Sequence, residues 1–205
     1  HFTGGMGVMM KNDDSLTRFS SRAAQYQNRP AYPPALLHHL VSDCGLKQES
    51  IIADIGSGTG YLSRVFLGNG NRVYAIEPND NMRAVAEESF RSNPLFTSVA
   101  GIAESIPLED RSVDVVAVGQ ALHWFEVGKA RKEFLRILRL GGWIIVVDMW
   151  ARDDADAFMR TCEEFRRTHF ADIGKAADPP ERIVQLFGGF TPLKNVIPNS
   201  YSCGE

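Results

Sequence analysis

The sequence predicts a doubly wound α/β domain built on a mostly parallel sheet. Three observations carry that reading. Short apolar runs alternate with stretches of helical periodicity along most of the chain. Three closely spaced glycines follow the first apolar run and open a helix. The fourth run, Val113 to Gly119, is nearly all apolar, as a strand covered on both faces must be. Such alternation yields parallel strands with helices on both sides of the sheet. With 205 residues, 44% of them hydrophobic, the chain can bury one sizeable core. A single domain over residues 11–205 is therefore expected.

The elements follow in order. Pro33 and Pro34 open a helix over Ala35 to Cys44, with Leu36, Leu37, Leu40 and Val41 at helical spacing and Gly45 as its stop. Ile51 to Ile55 is the first strand, and after the glycine turn a helix runs from Tyr61 to Leu67, ended by Gly68-Asn69-Gly70. Arg72 to Glu77 is the second strand. Asn79 or Asp80 caps the next helix, which reaches about Ser92 before Pro94 forbids its continuation. Phe96 to Gly101 and Val113 to Gly119 are the third and fourth strands. A helix from about Val127 to Leu140, closed by Gly141-Gly142, leads into the fifth strand, Trp143 to Asp148. Five βα repeats result. Helices over Asp154 to Phe170 and Pro180 to Phe187 complete the pattern, the first capped by the carboxylates Asp153, Asp154 and Asp156.

Composition removes several function classes. Lys and Arg number 22 against 25 Asp and Glu, a formal charge of -3, and no stretch gathers enough cations to track a phosphate backbone. Nucleic acid is not expected as a partner. The most apolar run, Trp143 to Trp150, is interrupted by Asp148 and falls well short of the roughly 20 residues of a spanning helix, so no membrane partner is expected. Cys44, Cys162 and Cys203 lie far apart, without zinc or redox spacing, which fits a reducing, cytoplasmic setting. The start His-Phe-Thr-Gly-Gly reads as a tag remnant, and residues 1–10 are left out of the fold. The adjacent His38 and His39 face about 100° apart on a helix and are solvated or packing residues, not a metal pair. Composition leaves the oligomeric state open.

In an open parallel sheet the ligand sits beyond the carboxyl ends of the strands, at the point where strand order reverses. There the sequence reads Asp54-Ile55-Gly56-Ser57-Gly58-Thr59-Gly60. Glycines let backbone amides approach a ligand, and the helix from Tyr61 turns its positive end toward an anionic group. The dinucleotide fingerprint G-x-G-x-x-G requires glycine at position 61, where this chain has Tyr61. Asp54 would repel a pyrophosphate but suits an ammonium. S-adenosylmethionine carries both an ammonium and a carboxylate. Glu77, at the end of the second strand, is placed to accept hydrogen bonds from both ribose hydroxyls, each worth roughly 1.5–3 kcal/mol when charge-assisted. Ser57 and Pro78 stand beside these groups in the candidate cofactor set. Asp54 has a second reading, as a structural cap for loop amides, and Glu77 has one as a surface carboxylate.

Five segments, ADIGSGTG (53–60), AIEPNDNM (75–82), GIAESIPLEDRSVDVV (101–116), QALHWF (120–125) and LGGWIIVV (140–147), resemble the class I S-adenosylmethionine-dependent methyltransferases, in the branch typified by ubiquinone-biosynthesis methyltransferases. The resemblance spans about residues 16 to 150. It implies strand order 3-2-1-4-5-7-6 with the seventh strand antiparallel, S-adenosylmethionine as cofactor and S-adenosylhomocysteine as product. It also implies that Ala103 and Glu104 border the adenine, that Met82 packs on its ring and that Gln120 lies beside the methionine end. The segment YQNRPAYP (26–33) resembles this branch's cofactor flap, with Tyr26 and Arg29 near the methionine carboxylate. The domain thus divides into flap and helix (11–50), cofactor core (51–150) and substrate-side helices with the last strands (151–205). Two departures stand out. Ile102 replaces an acidic residue common in the family, and the chain's early end implies a final strand that is missing or unusually built.

Methyl transfer from a sulfonium is an in-line displacement, so it needs alignment and exclusion of water more than a covalent intermediate. An oxygen-acid or amine acceptor must also lose a proton, and His123, just after the fourth strand, is placed to take it. Alternatively His123 and Trp124 only wall the substrate pocket. The aromatic residues Trp124, Phe125 and Trp150 line an apolar pocket or belong to the core. The fourth strand ends in Gly119-Gln120, without the acid a magnesium-dependent enzyme would place there, so no metal is expected. The region also lacks the Pro-Pro-aromatic motif of amino-methylating nucleic acid enzymes and the paired-glutamate loop of protein arginine methyltransferases. A small organic acceptor remains. The alternatives are a silent S-adenosylmethionine-binding module and a nicotinamide-dependent oxidoreductase, which tight NAD binding without S-adenosylhomocysteine binding would reveal.

Overall fold

The computed structural model describes residues 31–147 and Leu186. Helix α1 spans Pro34–Cys44, entered through Pro33 and ended by Gly45 in a left-handed conformation. Strand β1 (Ile51–Ile55) runs through the glycine turn into α2 (Tyr61–Gly68). Strand β2 (Arg72–Ile76) precedes α3 (Asp80–Ser89), β3 is Phe96–Val99 and β4 is Val113–Gly119. A short 3-10 turn, Leu122–Trp124, leads to α4 (Val127–Ile137), which passes directly into β5 (Leu138–Val147). The strands form one sheet in the order β3-β2-β1-β4-β5, every pair parallel. Strand order reverses between β1 and β4, where the sequence reading places the ligand crevice.

Strand side chains alternate between two cores. Ala53, Ile55, Val116 and Val118 face a layer containing Phe134 and Ile137 of α4. Ile52, Val115 and Ala117 face the opposite layer, with Leu36 and Leu40 of α1 and Leu62 and Phe66 of α2. Helices thus cover both faces, as the near-continuous apolar β4 requires. Leu186, helical and fully buried, joins the first layer and accepts a hydrogen bond from Arg131 Nε at 3.0 Å. The other residues of the helices expected over 154–170 and 180–187, the strands expected beyond β5, residues 1–30 and Trp150 lie outside the described residues.

Three sequence expectations need correction. The helix expected to reach Leu140 ends at Ile137, and β5 begins at Leu138 opposite Val113. Val115 then pairs with Trp143, so Arg139 to Gly142 bulge out of the ladder and the double glycine lies within the strand span. Arg139 anchors the bulge by donating to both carboxylate oxygens of Asp114 at 3.0 Å. Helix α3 stops at Ser89, not near Ser92, because Phe90 turns inward against Phe96, with ring centroids 4.8 Å apart. Finally, the β3–β4 connection carries no helix. Its residues are pinned by Arg136, which donates to the carbonyls of Leu108 at 2.8 Å and Ile106 at 2.7 Å. Tertiary donors there replace the helical ladder.

The bulge makes a strict demand at Gly142. A Cβ there would lie 2.6 Å from the Asp114 carbonyl oxygen and 2.8 Å from Leu138 Cδ1. Because the first obstacle is backbone, Gly142→Ala is expected to cost on the order of 1–3 kcal/mol of folding free energy. Denaturant unfolding checks this, and an unshifted midpoint would show that the bulge yields freely.

Candidate functional site

The first functional group arises from the alternation of β1. Asp54 is the one charged residue in an otherwise apolar strand, and the pleat turns it toward α2. It is 1% exposed, and its Oδ2 accepts the Ser63 hydroxyl at 2.6 Å. Its Oδ1 is enclosed without a hydrogen-bond partner. Burial pushes the Asp54 carboxyl up to about 7, against the hydrogen bonds from the Ser63 hydroxyl and backbone N–H and with a further push from the charge of Glu77. One oxygen therefore ties β1 to the first turn of α2, and the other is buried without a partner.

The glycine turn packs tightly on β4's exit. A Cβ on Gly56 would lie 2.7 Å from Ala121 Cβ and 3.3 Å from Phe125 Cζ, and Gly56 has a φ of 68°. Only glycine fits both constraints. The amides of Gly56 and Ser57 donate to the Ile76 carbonyl at 2.8 and 3.1 Å, and Gly60 donates to Ser57 at 2.9 Å. These three donors hold the turn itself rather than standing ready for a ligand. Above Gly58 the space is open, with nothing within 4 Å of a Cβ position.

Glu77 follows β2 directly and is 8% exposed, so the reading as a surface carboxylate does not hold. Its Oε2 accepts the Gly58 N–H and its Oε1 the Asn79 N–H, each at 2.9 Å. Burial pushes the Glu77 carboxyl up, opposed by the Asn79 and Gly58 amides and by the charge of Arg83. Each carboxylate oxygen keeps a second acceptor direction. Pro78 is exposed beside it, and Asn79 caps α3 by accepting the amides of Asn81 and Met82 at 3.0 and 3.1 Å.

Met82 and Ala103 are 4% and 3% exposed, whereas Ile102 is 47% exposed on the rim. Glu104 lies next to Ala103, but its Oε1 accepts the Glu126 N–H at 2.6 Å and so braces the entry to α4. Gln120, at the end of β4, has a φ of 53°, uncommon for a residue with a side chain and a recurrent mark of functional sites. Next to it, His123 and the half-exposed Trp124 face each other with ring centroids 4.8 Å apart. Phe125 is buried in the core against Phe134. Tyr26 and Arg29 lie outside the described residues.

Sequence reasoning missed Tyr32, whose hydroxyl stands 2.9 Å from where a Cβ of Gly119 would be, at the carboxyl end of β4. Its position within the proline-flanked segment before α1 was the available signal. It also missed Asn71, fully buried, whose Nδ2 donates to the carbonyls of Lys47 and Ser50 at 2.6 and 2.9 Å and so fixes the approach to β1. Among the described residues no group of three or more His, Cys, Asp or Glu could hold a metal ion, and no helix is long and apolar enough to cross a membrane.

A sheet that reverses its order beside a glycine turn, with a buried acid at the end of the neighbouring strand, has the architecture of proteins that take nucleotide-like cofactors at the switch point. Comparison with known proteins narrows the class. Residues 53–146 match the methyltransferase domain family. An uncharacterized methyltransferase of Mycobacterium tuberculosis is 33% identical over 185 residues, covering 90% of this chain and 70% of that protein. Another from Schizosaccharomyces pombe is 31% identical over 185 residues, covering 86% and 69%. The structure of a candidate S-adenosyl-L-methionine-dependent methyltransferase from Methanococcus maripaludis shares the fold with a TM-score of 0.63 at 19% identity, covering 87% and 84% of the two chains. The chain belongs to the methyltransferase domain family, and the fold it shares with S-adenosyl-L-methionine-dependent members implies S-adenosylmethionine as the cofactor.

The residues present fit that cofactor. The Asp54 carboxyl, with one oxygen unpartnered, matches its ammonium in charge, the Glu77 carboxylate keeps acceptor directions for hydroxyls, and the space above Gly58 leaves room for close approach.

Proposed function

We propose that this enzyme methylates a small organic acceptor, held beside His123 and Trp124, with the cofactor gripped between the glycine turn and Glu77. The observation that supports this reading best is Glu77: a buried carboxylate at the end of β2, joined to the turn through Gly58. In this reading Glu77 accepts from the ribose hydroxyls while Ser57, Gly58 and Gly60 shape the adjoining wall. Met82 and Ala103 form the apolar floor for the adenine, with Ile102, Glu104 and Pro78 around its edge. Gln120 lies toward the methionine end. Bound there, the cofactor supplies an electrophilic methyl group on a sulfonium that leaves as a neutral thioether.

The chain's own residues then have three tasks. They hold the acceptor atom in line with the carbon–sulfur bond, keep water out, and receive the acceptor's proton where it has one. In this reading His123 takes the last task, and Trp124 presents a half-exposed ring against which an apolar acceptor can lie. Net charge of -3 disfavours nucleic acid as acceptor.

Titration with S-adenosylhomocysteine, followed by a labelled-methyl screen of small metabolites, tests the reading. Absence of cofactor binding would overturn the site, and labelling confined to nucleic acid or protein would overturn the acceptor class. With an acceptor in hand, His123→Ala is expected to slow turnover by about 10²-fold, the lower range for loss of a general base, with cofactor affinity little changed. An unaltered rate would leave His123 as a wall.

A further inference from the structure

Asp54 and Glu77 put two buried carboxylates around one turn, and neither makes an ion pair among the described residues. Among the described residues, few groups face Asp54. From α2 comes Ser63, through its hydroxyl and its backbone N–H. Beyond β2 stands Glu77, whose charge opposes ionisation of Asp54. The neighbouring strands contribute Ala75 and Ala117 at the paired positions, and neither titrates. Arg83 of α3 directs its donors to the carbonyls of Glu77 and Pro78 and to the Asp80 carboxylate. A buried carboxylate oxygen with no donor is costly while charged, and a proton removes that cost.

From this cluster we infer that cofactor binding is proton-linked through Asp54: free-enzyme molecules that carry a proton on this carboxyl group release it to solvent when the cofactor's ammonium-bearing end enters. This rests on the reading of the crevice as the cofactor site. The step is a simple exchange in which the Asp54 O–H bond breaks, the proton leaves to buffer, and the carboxylate keeps the electron pair, its charge answered by the nearby ammonium. Burial holds the free carboxyl at about 7, so near neutral pH about half of the molecules carry the proton. A cation beside the carboxylate lowers that value in the complex. Between the bound and free values affinity therefore rises with pH, by up to about tenfold per pH unit, and it levels off above the free value.

Calorimetric titration of the whole protein with S-adenosylhomocysteine, in phosphate and in Tris at about pH 7, reads the proton directly. The two buffers differ in ionisation heat, so a difference in binding enthalpy counts protons released. The expected count is about half a proton near pH 7, approaching one near pH 6 and falling toward zero by about pH 8.5. In Asp54→Asn the count is expected to vanish while binding persists. Equal enthalpies in the two buffers with binding intact, or an unchanged count in Asp54→Asn, would overturn the linkage. Should the variant not fold, the pH series on the unaltered enzyme decides alone. No binding under any condition would instead refute the site reading, a result distinct from binding without proton release.

Discussion

Glu77→Ala is expected to weaken S-adenosylhomocysteine binding at least about tenfold, or roughly 1.4 kcal/mol, and to lower the melting temperature at the same time. Two separate losses combine. In the proposed complex the carboxylate accepts from two ribose hydroxyls, and hydrogen bonds to a charged group contribute about 1.5–3 kcal/mol each. In the free protein the same oxygens accept the Gly58 and Asn79 amides at 2.9 Å, so truncation also leaves two donors unanswered, at about 1–3 kcal/mol for each that stays dry. Glu77→Gln separates the roles, because its amide nitrogen would face one of those N–H groups as a second donor. It should therefore keep the size of the side chain while losing part of both functions. Titration calorimetry beside thermal unfolding makes the measurement. Full affinity in Glu77→Ala would remove the ribose assignment, whatever happened to stability.

The parts of this enzyme legible in its sequence are those set by neighbours along the chain. The Ile51–Ile55 strand, the turn through Gly60 and the apolar run of β4 announce themselves within a few residues, and their order dictates the sheet. Asn79 is foreseeable as a cap because capping is a contact with the next turn. What stayed hidden depends on partners far away in sequence. The Gly58 amide is satisfied by Glu77, so the turn's shape and the candidate ribose acid form one unit, which spacing alone does not reveal. Glu104, named for a place beside the adenine, uses its carboxylate on the start of α4. Asp54 was open between ligand contact and structural cap. The structure ties Oδ2 to the Ser63 hydroxyl and leaves Oδ1 buried without a partner, a split that the spacing of the turn does not reveal. The end of α4 was misjudged because Asp114 and Arg139 impose a bulge that no local periodicity encodes.

Asp54→Asn is expected to raise the melting temperature at about pH 8 by several degrees and to change it little below about pH 4. The sign follows from the two protonation states. Unfolded, the carboxyl titrates at 3.8; folded, burial holds it at about 7. The folded state thus binds the extra proton between these values, and its stability falls as pH rises through that window, levelling off above it. The shift corresponds to something on the order of 4 kcal/mol, borne in full only above about pH 7. Asparagine has the same shape and no charge to bury, so it escapes that cost while its amide can still meet the Ser63 hydroxyl. For a chain of this size each kcal/mol moves the midpoint by roughly 2–4 °C, and part of the gain is lost with the charged hydrogen bond. Thermal scans of both proteins at the two pH values give the answer. A variant no more stable than the original at the higher pH would mean that the carboxylate is well solvated or well paired. A more stable variant would show that the enzyme retains a charge its fold does not favour, as expected where a side chain serves a ligand rather than the core.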